Sequence, residues 1–259
     1  MLFTNATYIG IDPSAGLRPF VYAALDHELR PIALGAGKFD DILAFVAGQH
    51  QAVVSIAAPH KPNQGVMARE EIRRELSPIP HPGRWVDFRL ADYLLRKRNI
   101  LVPQTPADEE SCPNWMRMGF RLFRKLEQIG YQEYPHPDSQ RLFLEVYPHA
   151  CYTVMLGLSP FPKYSLEGRL QRQLALYDNQ VKVQDPMLFF EEITRHRLLK
   201  GVLPVHHLMS SGELDALVAA YTAWVAANQP DQLILLGHPD EGRVALPCAE
   251  LMPHYPVPR

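Results

Sequence analysis

Three carboxylates in this chain stand where a carboxylate can do chemistry. Asp12 closes the run Tyr8-Ile9-Gly10-Ile11 and precedes the loop-forming Pro13-Ser14-Ala15-Gly16. Loops after strand ends form clefts, which places such an acid to meet a metal or a substrate. The alternative is an Asp whose side chain caps its own turn. Glu145 sits inside the apolar stretch Leu142-Phe143-Leu144-Glu145-Val146. A buried, unpaired carboxylate costs several kcal/mol or takes up a proton. Glu145 must therefore face solvent, pair with a base such as nearby Arg141, or bind a cation. Asp215 lies early in a helical stretch, with small Ala219, Thr222 and Ala223 at +4, +7 and +8. Those small side chains allow a close approach to a sheet. The alternative for Asp215 is an acid favoured by the helix dipole by about 0.3–1 kcal/mol.

Brought to one end of a sheet, the three acids would repel one another unless a divalent cation neutralised them. Mg²⁺ or Mn²⁺ suits an oxygen-only ligand set of Asp12, Glu145 and Asp215. Two such ions about 3.5–4 Å apart activate water and stabilise the leaving oxygen in phosphodiester hydrolysis. His149, directly after Tyr147-Pro148, is a candidate proton-transfer group, its alternative being a histidine bonded to backbone. Arg69, Arg73, Arg74, Arg96, Lys97 and Arg98 are the candidate nucleic-acid contacts. They fall in residues 61–100, where nine Lys or Arg face five acids; phosphate contacts need such side chains. Arg195-His196-Arg197 with Lys200 reads as a solvated basic face. His206-His207 has no partner at zinc-site spacing and reads as loop. Trp115, Phe120 and Phe123 follow helical spacing and read as core.

These residues need elements to hold them. Residues 7–12, 20–25 and 29–34 read as three short strands with tight connections, an antiparallel meander. A helix over 39–47 and a buried strand over 52–58 then fit a parallel crossover. Residues 60–140 are polar and Pro-rich, with helices near 66–76, 86–97 and 114–129, and read as a helical insertion in one domain spanning 1–259. A strand over 142–146 follows, then helices over 165–178 and 187–200. Ser210-Ser211-Gly212-Glu213 is a capping box that starts a helix running to about 227. Short strands at 233–236 and 244–246 close the chain. The fold class is α/β, a mixed sheet of meander plus parallel strands flanked by helices.

Composition narrows the classes. An apolar fraction of 47% supports a sizeable core and argues against disorder. A formal charge of −2 gives no global field for nucleic acid. Three scattered cysteines, Cys112, Cys151 and Cys248, argue against a disulfide framework or cysteine zinc site and for a reducing, cytoplasmic compartment. No leader and no apolar run of about 18 residues is evident, so neither secretion nor a membrane partner is expected. The 24 prolines are scattered and punctuate the elements.

Several segments together carry a family resemblance: Tyr8-Ile-Gly-Ile-Asp-Pro-Ser-Ala-Gly16, Pro62-Asn-Gln-Gly65, Trp115-Met-Arg-Met-Gly-Phe120, Glu145-Val-Tyr-Pro-His-Ala150, Glu192-Ile-Thr-Arg-His196 and Glu213-Leu-Asp-Ala-Leu-Val-Ala-Ala-Tyr221. The chain resembles, over nearly its whole length, the domain-of-unknown-function family 429, described as predicted nucleases of ribonuclease-H-like fold. The resemblance implies metal-ligand roles for Asp12, Glu145 and Asp215. Many relatives carry a further acid in an Ile-Asp-Ala-Pro-like stretch; here Ser55-Ile56-Ala57-Ala58-Pro59 puts Ala57 in its place. That departure weakens a two-metal site. Three functions follow as expectations. The first is a metal-dependent nuclease. The second is a non-catalytic nucleic-acid-binding or interaction protein on the same scaffold. The third is a nucleotide phosphotransferase, for which Asp12-Pro-Ser-Ala-Gly16 would hold phosphate.

Overall fold

The computed structural model describes residues 6–13, 19–76, 78–81 and 85–258. Strands β1 (Thr7–Asp12), β2 (Phe20–Leu25) and β3 (Pro31–Gly37) form the antiparallel meander, with Ile11 opposite Tyr22 and Tyr22 opposite Gly35. Helix α1 (Phe39–Ala47) crosses over to β4 (Ala52–Ile56), which runs parallel to β1 with Ile56 beside Ile11. Helices α2 (Glu70–Glu75), α3 (Leu90–Lys97) and α4 (Asn114–Gln128) follow. The short β5 (Gln132–Glu133) pairs with β6 (Arg141–Val146), which is parallel to β4. Next come α5 (Pro148–Leu156), α6 (Leu166–Asp178), α7 (Leu188–Glu191), α8 (Arg195–Leu199) and the long α9 (Ser211–Asn228). A hairpin of β7 (Ile234–His238) and β8 (Gly242–Leu246) completes the sheet, in the order β3-β2-β1-β4-β6-β8-β7. The expected mixed sheet of meander plus parallel strands, flanked by helices, is what the chain forms.

Alternation along the strands assigns the two faces. Ile9 and Ile11, Val54 and Ile56, and Phe143 point to the side covered by Ile42 and Val46 of α1 and by Leu122, Phe123 and Leu126 of α4. Tyr8, Val53, Leu142, Leu144 and Val146 point to the other side, into a core built on α9 with α5 and α6. Gly10 faces α9. A Cβ there would stand 2.0 Å from the Ala216 carbonyl oxygen and 2.3 Å from the Ala220 nitrogen. The glycine lets the small-residue strip of α9 lie directly on β1, and the Ser55 hydroxyl ties in by donating to the Ala219 carbonyl.

Three local expectations change. The third strand starts at Pro31 because Asp26 gathers the backbone N–H groups of Glu28 and Arg30 into a turn, with Leu29 at φ 60°. The helix expected over 187–200 is two short ones, since the Thr194 side chain accepts from the Arg197 N–H and starts a new helix there. Pro148 begins α5, where proline at the first position has no N–H to lose. Helix α4 packs its Leu122, Phe123 and Leu126 into the core. No helix among the described residues is long and apolar enough to cross a membrane, and the three cysteines are free thiols.

Candidate active site

Asp12 ends β1, and the next strand position after Ile11 points toward α9. The close packing of α9 over Gly10 sets the first turns of that helix at the same end of the sheet. Asp12 and Asp215 therefore share one cleft of about 1240 Å³, together with Tyr147, His149, Lys163, Arg172 and the Ser210–Gly212 start of α9. A Cβ on Gly212 would lie 3.9 Å from Asp12 Oδ2, so the Asp12 carboxylate lies against the helix start. Burial first, and then the charge of Asp215, push the Asp12 carboxyl up to about 7, although Lys163 pulls it down. Asp215, 5% exposed, is also raised by burial. Lys163 opposes this, its Nζ donating to Asp215 Oδ2 at 2.7 Å.

Lys163 and Arg172 are cleft-lining residues that spacing along the chain did not single out. Lys163 sits on the loop between α5 and α6. That loop is clamped because a Cβ on Gly168 would stand 2.0 Å from the Pro162 carbonyl oxygen. Buried Arg172 donates to the Phe161 carbonyl at 2.7 Å and the Gly168 carbonyl at 2.9 Å, fixing the loop from below. Ser165 capping α6, by accepting from the Gly168 N–H, is the sequence signal that could have marked this loop. His149 lines the cleft, and burial, then Arg172 and Lys163, lower it to about 4. It is therefore neutral near pH 7 and can orient a ligand but is a weak base. Burial pushes the Tyr147 hydroxyl up to about 12, so it remains a donor. Half-buried Trp115, read as core, packs in the core and also lines the cleft wall.

Glu145 is not in this cleft. It registers with Ile56, which registers with Ile11, so it points to the face opposite Asp12. There both its oxygens are taken. Oε1 accepts from Arg89 Nη2 at 2.6 Å, while Oε2 accepts from Arg89 Nη1 at 3.0 Å and from the His60 N–H at 2.7 Å. Arg89 also bonds Asp92 and the Glu241 carbonyl. Glu241 in turn accepts the N–H groups of Gln64, Val66 and Leu90. This buried network docks the 60–106 segment onto the sheet. The expectation that Glu145 joins Asp12 and Asp215 as a metal ligand is therefore corrected by strand alternation. On the α9 face, Ala57 and Val146 occupy the neighbouring strand ends.

Most of the basic candidates are engaged with neighbouring groups. Arg69 pairs with Asp240 at 2.8 Å, Arg73 bonds the Met67 and Ala68 carbonyls, and Arg74 pairs with Glu70. Arg96 donates to the Val102 carbonyl and Arg98 to that of Leu94. Lys97 is exposed. Arg89, counted in the local surplus, is fully engaged in the core. Ser14-Ala15-Gly16, the phosphate-holding part of the phosphotransferase expectation, and Arg84 of the basic stretch lie outside the described residues.

Asp12 and Asp215 are the cleft residues that could hold a divalent ion: they are two carboxylates from different elements, Asp12 raised first by burial and then by Asp215, and the neighbouring strand-end positions Ala57 and Val146 carry no acid. A family model described as a protein of unknown function, DUF429, matches residues 10–241. The chain belongs to this family. Comparison with curated proteins and with solved structures gave no match. The matched span runs from Gly10 to Glu241 and so takes in both the cleft and the buried network.

Proposed function

We propose that this protein is a metal-dependent hydrolase of nucleic-acid phosphodiesters that works with a single divalent ion. The observation that carries the reading is the meeting of Asp12 and Asp215 in one cleft, with the Asp12 carboxyl held up to about 7 by burial and by its neighbour's charge. Mg²⁺ or Mn²⁺ would add the positive charge that lets Asp12 ionise beside Asp215. Asp12 and Asp215 would hold the ion, which would supply Lewis-acid polarisation of a phosphoryl oxygen and activation of water. The chain's own residues support the remaining work. The start of α9 offers backbone N–H groups and the positive end of an 18-residue helix to an anionic oxygen. Lys163, 39% exposed at its side chain, can move from Asp215 to a phosphate. Tyr147 and neutral His149 provide orienting hydrogen bonds.

The test is cleavage of single-stranded, duplex and branched DNA and RNA with Mg²⁺ or Mn²⁺. Cleavage lost in both Asp12→Asn and Asp215→Asn is the expected result. Absence of cleavage on every substrate, or cleavage that survives Asp12→Asn, overturns the proposal.

A second reading, a non-catalytic nucleic-acid-binding protein on the same scaffold, is favoured by two observations. Lys163 already neutralises Asp215, and the acid that would complete a two-ion site is Ala57. It predicts salt-dependent binding without turnover.

A further inference from the structure

A second group of metal-binding side chains lies outside the cleft, on the segment that leads into α9. His206 and His207 come together with Glu192, some fifteen residues earlier in the chain. One ligand atom from each lies within 4.8 Å of the others. His207 Nε2 is 2.8 Å from Glu192 Oε1, and His206 Nε2 is 3.8 Å from the same oxygen. Ligands of a tetrahedral Zn²⁺, each about 2.0–2.1 Å from the ion, lie about 3.3 Å apart. The two distances straddle that spacing, and the third pair of ligand atoms lies within 4.8 Å.

The surroundings are those that orient metal ligands. Gln184 Nε2 is 2.7 Å from His207 Nδ1 and donates to it, so the ring carries its proton on Nε2, toward Glu192 Oε1. An ion at Nε2 requires the proton on Nδ1 and the Gln184 amide turned so that its oxygen accepts it. Arg197 Nη1 is 2.6 Å from Glu192 Oε2, which fixes the carboxylate and leaves Oε1 free to coordinate. Partners of this kind fix ring and carboxylate orientation in metal sites. The backbone beneath is also fixed. Buried Gln173 donates to the carbonyls of Gln184 and His207 and accepts the Met209 N–H. Two imidazoles and one carboxylate favour zinc over Mg²⁺.

We infer that Glu192, His206 and His207 bind one Zn²⁺, with an open fourth position for water, and so staple the 184–207 segment next to the start of α9. In the metal-free chain His207 donates its Nε2 proton to Glu192; on binding, the ion would take that place and solvent would return the proton at Nδ1, where the turned Gln184 amide oxygen accepts it. The reading expected from sequence, a loop without a partner, fails because Glu192 reaches these histidines only through the turn at Thr194 and the fold of the segment.

The inference is independent of the cleft, and its test keeps it so. The full chain carrying Asp12→Asn, which removes a cleft carboxylate, is equilibrated with Zn²⁺, freed of excess and assayed for bound metal. The same chain is titrated with Co²⁺ for the visible bands of a tetrahedral site. One retained equivalent is expected, with a metal-dependent rise in melting temperature. His206→Ala, at an exposed position that the fold does not need, is expected to weaken binding at least tenfold. Gln184→Ala is expected to weaken it ten- to a hundredfold. Zinc uptake unchanged by His206→Ala, or no retained zinc in the folded chain, overturns the inference.

Discussion

Replacing Gly10 by alanine puts a methyl group into space that α9 already fills. The added carbon would sit 2.0 Å from the Ala216 carbonyl oxygen, 2.3 Å from the Ala220 nitrogen and 2.8 Å from the Ala219 Cβ, whereas ordinary contact begins near 3.4 Å. Two of the three atoms are backbone and cannot swing aside, so the helix has to retreat from β1 by about 1.4 Å. Forcing extra volume into a packed core costs about 1–3 kcal/mol, occasionally more, and the rigid obstacle here puts Gly10→Ala at the upper end. For a chain of this size, with about 2–4 °C lost per kcal/mol, about 3 kcal/mol lowers the melting temperature by about 6–12 °C. The retreat also draws Asp215 away from Asp12, so the Asp12 carboxyl should titrate lower than in the wild type. Urea denaturation measures the first effect and carbon-detected NMR titration of Asp12 the second. Gly48→Ala is the control. Gly48 has φ −72°, and its nearest neighbours lie 3.6 Å from an added Cβ. If Gly10→Ala unfolds within about 0.5 kcal/mol of wild type and leaves the Asp12 titration unmoved, close packing of α9 is not what builds the cleft.

Three further outcomes follow from the same geometry. Arg89→Met leaves Glu145 and Asp92 buried without their cation, and urea unfolding should show a loss of about 3–5 kcal/mol; a loss under about 1 kcal/mol refutes the structural role given to Glu145. In EDTA, Asp12 keeps its proton to about pH 7 in the folded chain, against about 4 in the unfolded chain. Stability should therefore fall as pH rises across that window and level off above it. Asp12→Asn should exceed wild type by about 2–4 kcal/mol above pH 7, with the gap closing toward pH 4; a gap independent of pH contradicts the assignment. Ser210→Ala removes the side chain that accepts the Glu213 N–H at the start of α9, and thermal unfolding should report a loss of about 1 kcal/mol.

The sequence by itself determined the local grammar of this protein. The meander and the crossover to β4 are legible because short β-rich runs, a helix-period run and turn residues follow one another without ambiguity. The start of α9 is legible because Ser210 and Glu213 satisfy each other's backbone N–H groups, a bond confined to four residues. Asp12 was legible as a strand-end acid, and Asp215 as an acid above a small-residue strip.

Which acids share a site was decided only by the tertiary structure. Glu145 and Asp12 have the same local character, but their side depends on strand register, and a one-residue step in a strand changes the face. Register placed Glu145 beside Ile56 and Ile11 and so against Arg89. Arg89, Lys163 and the pairing of Glu192 with His206 and His207 were invisible in the chain because each depends on segments far apart in sequence or on the path of an irregular loop. Local bonds set the elements; the packing of α9 over Gly10 and the alternation of β6 set which side chains meet at either face of the sheet.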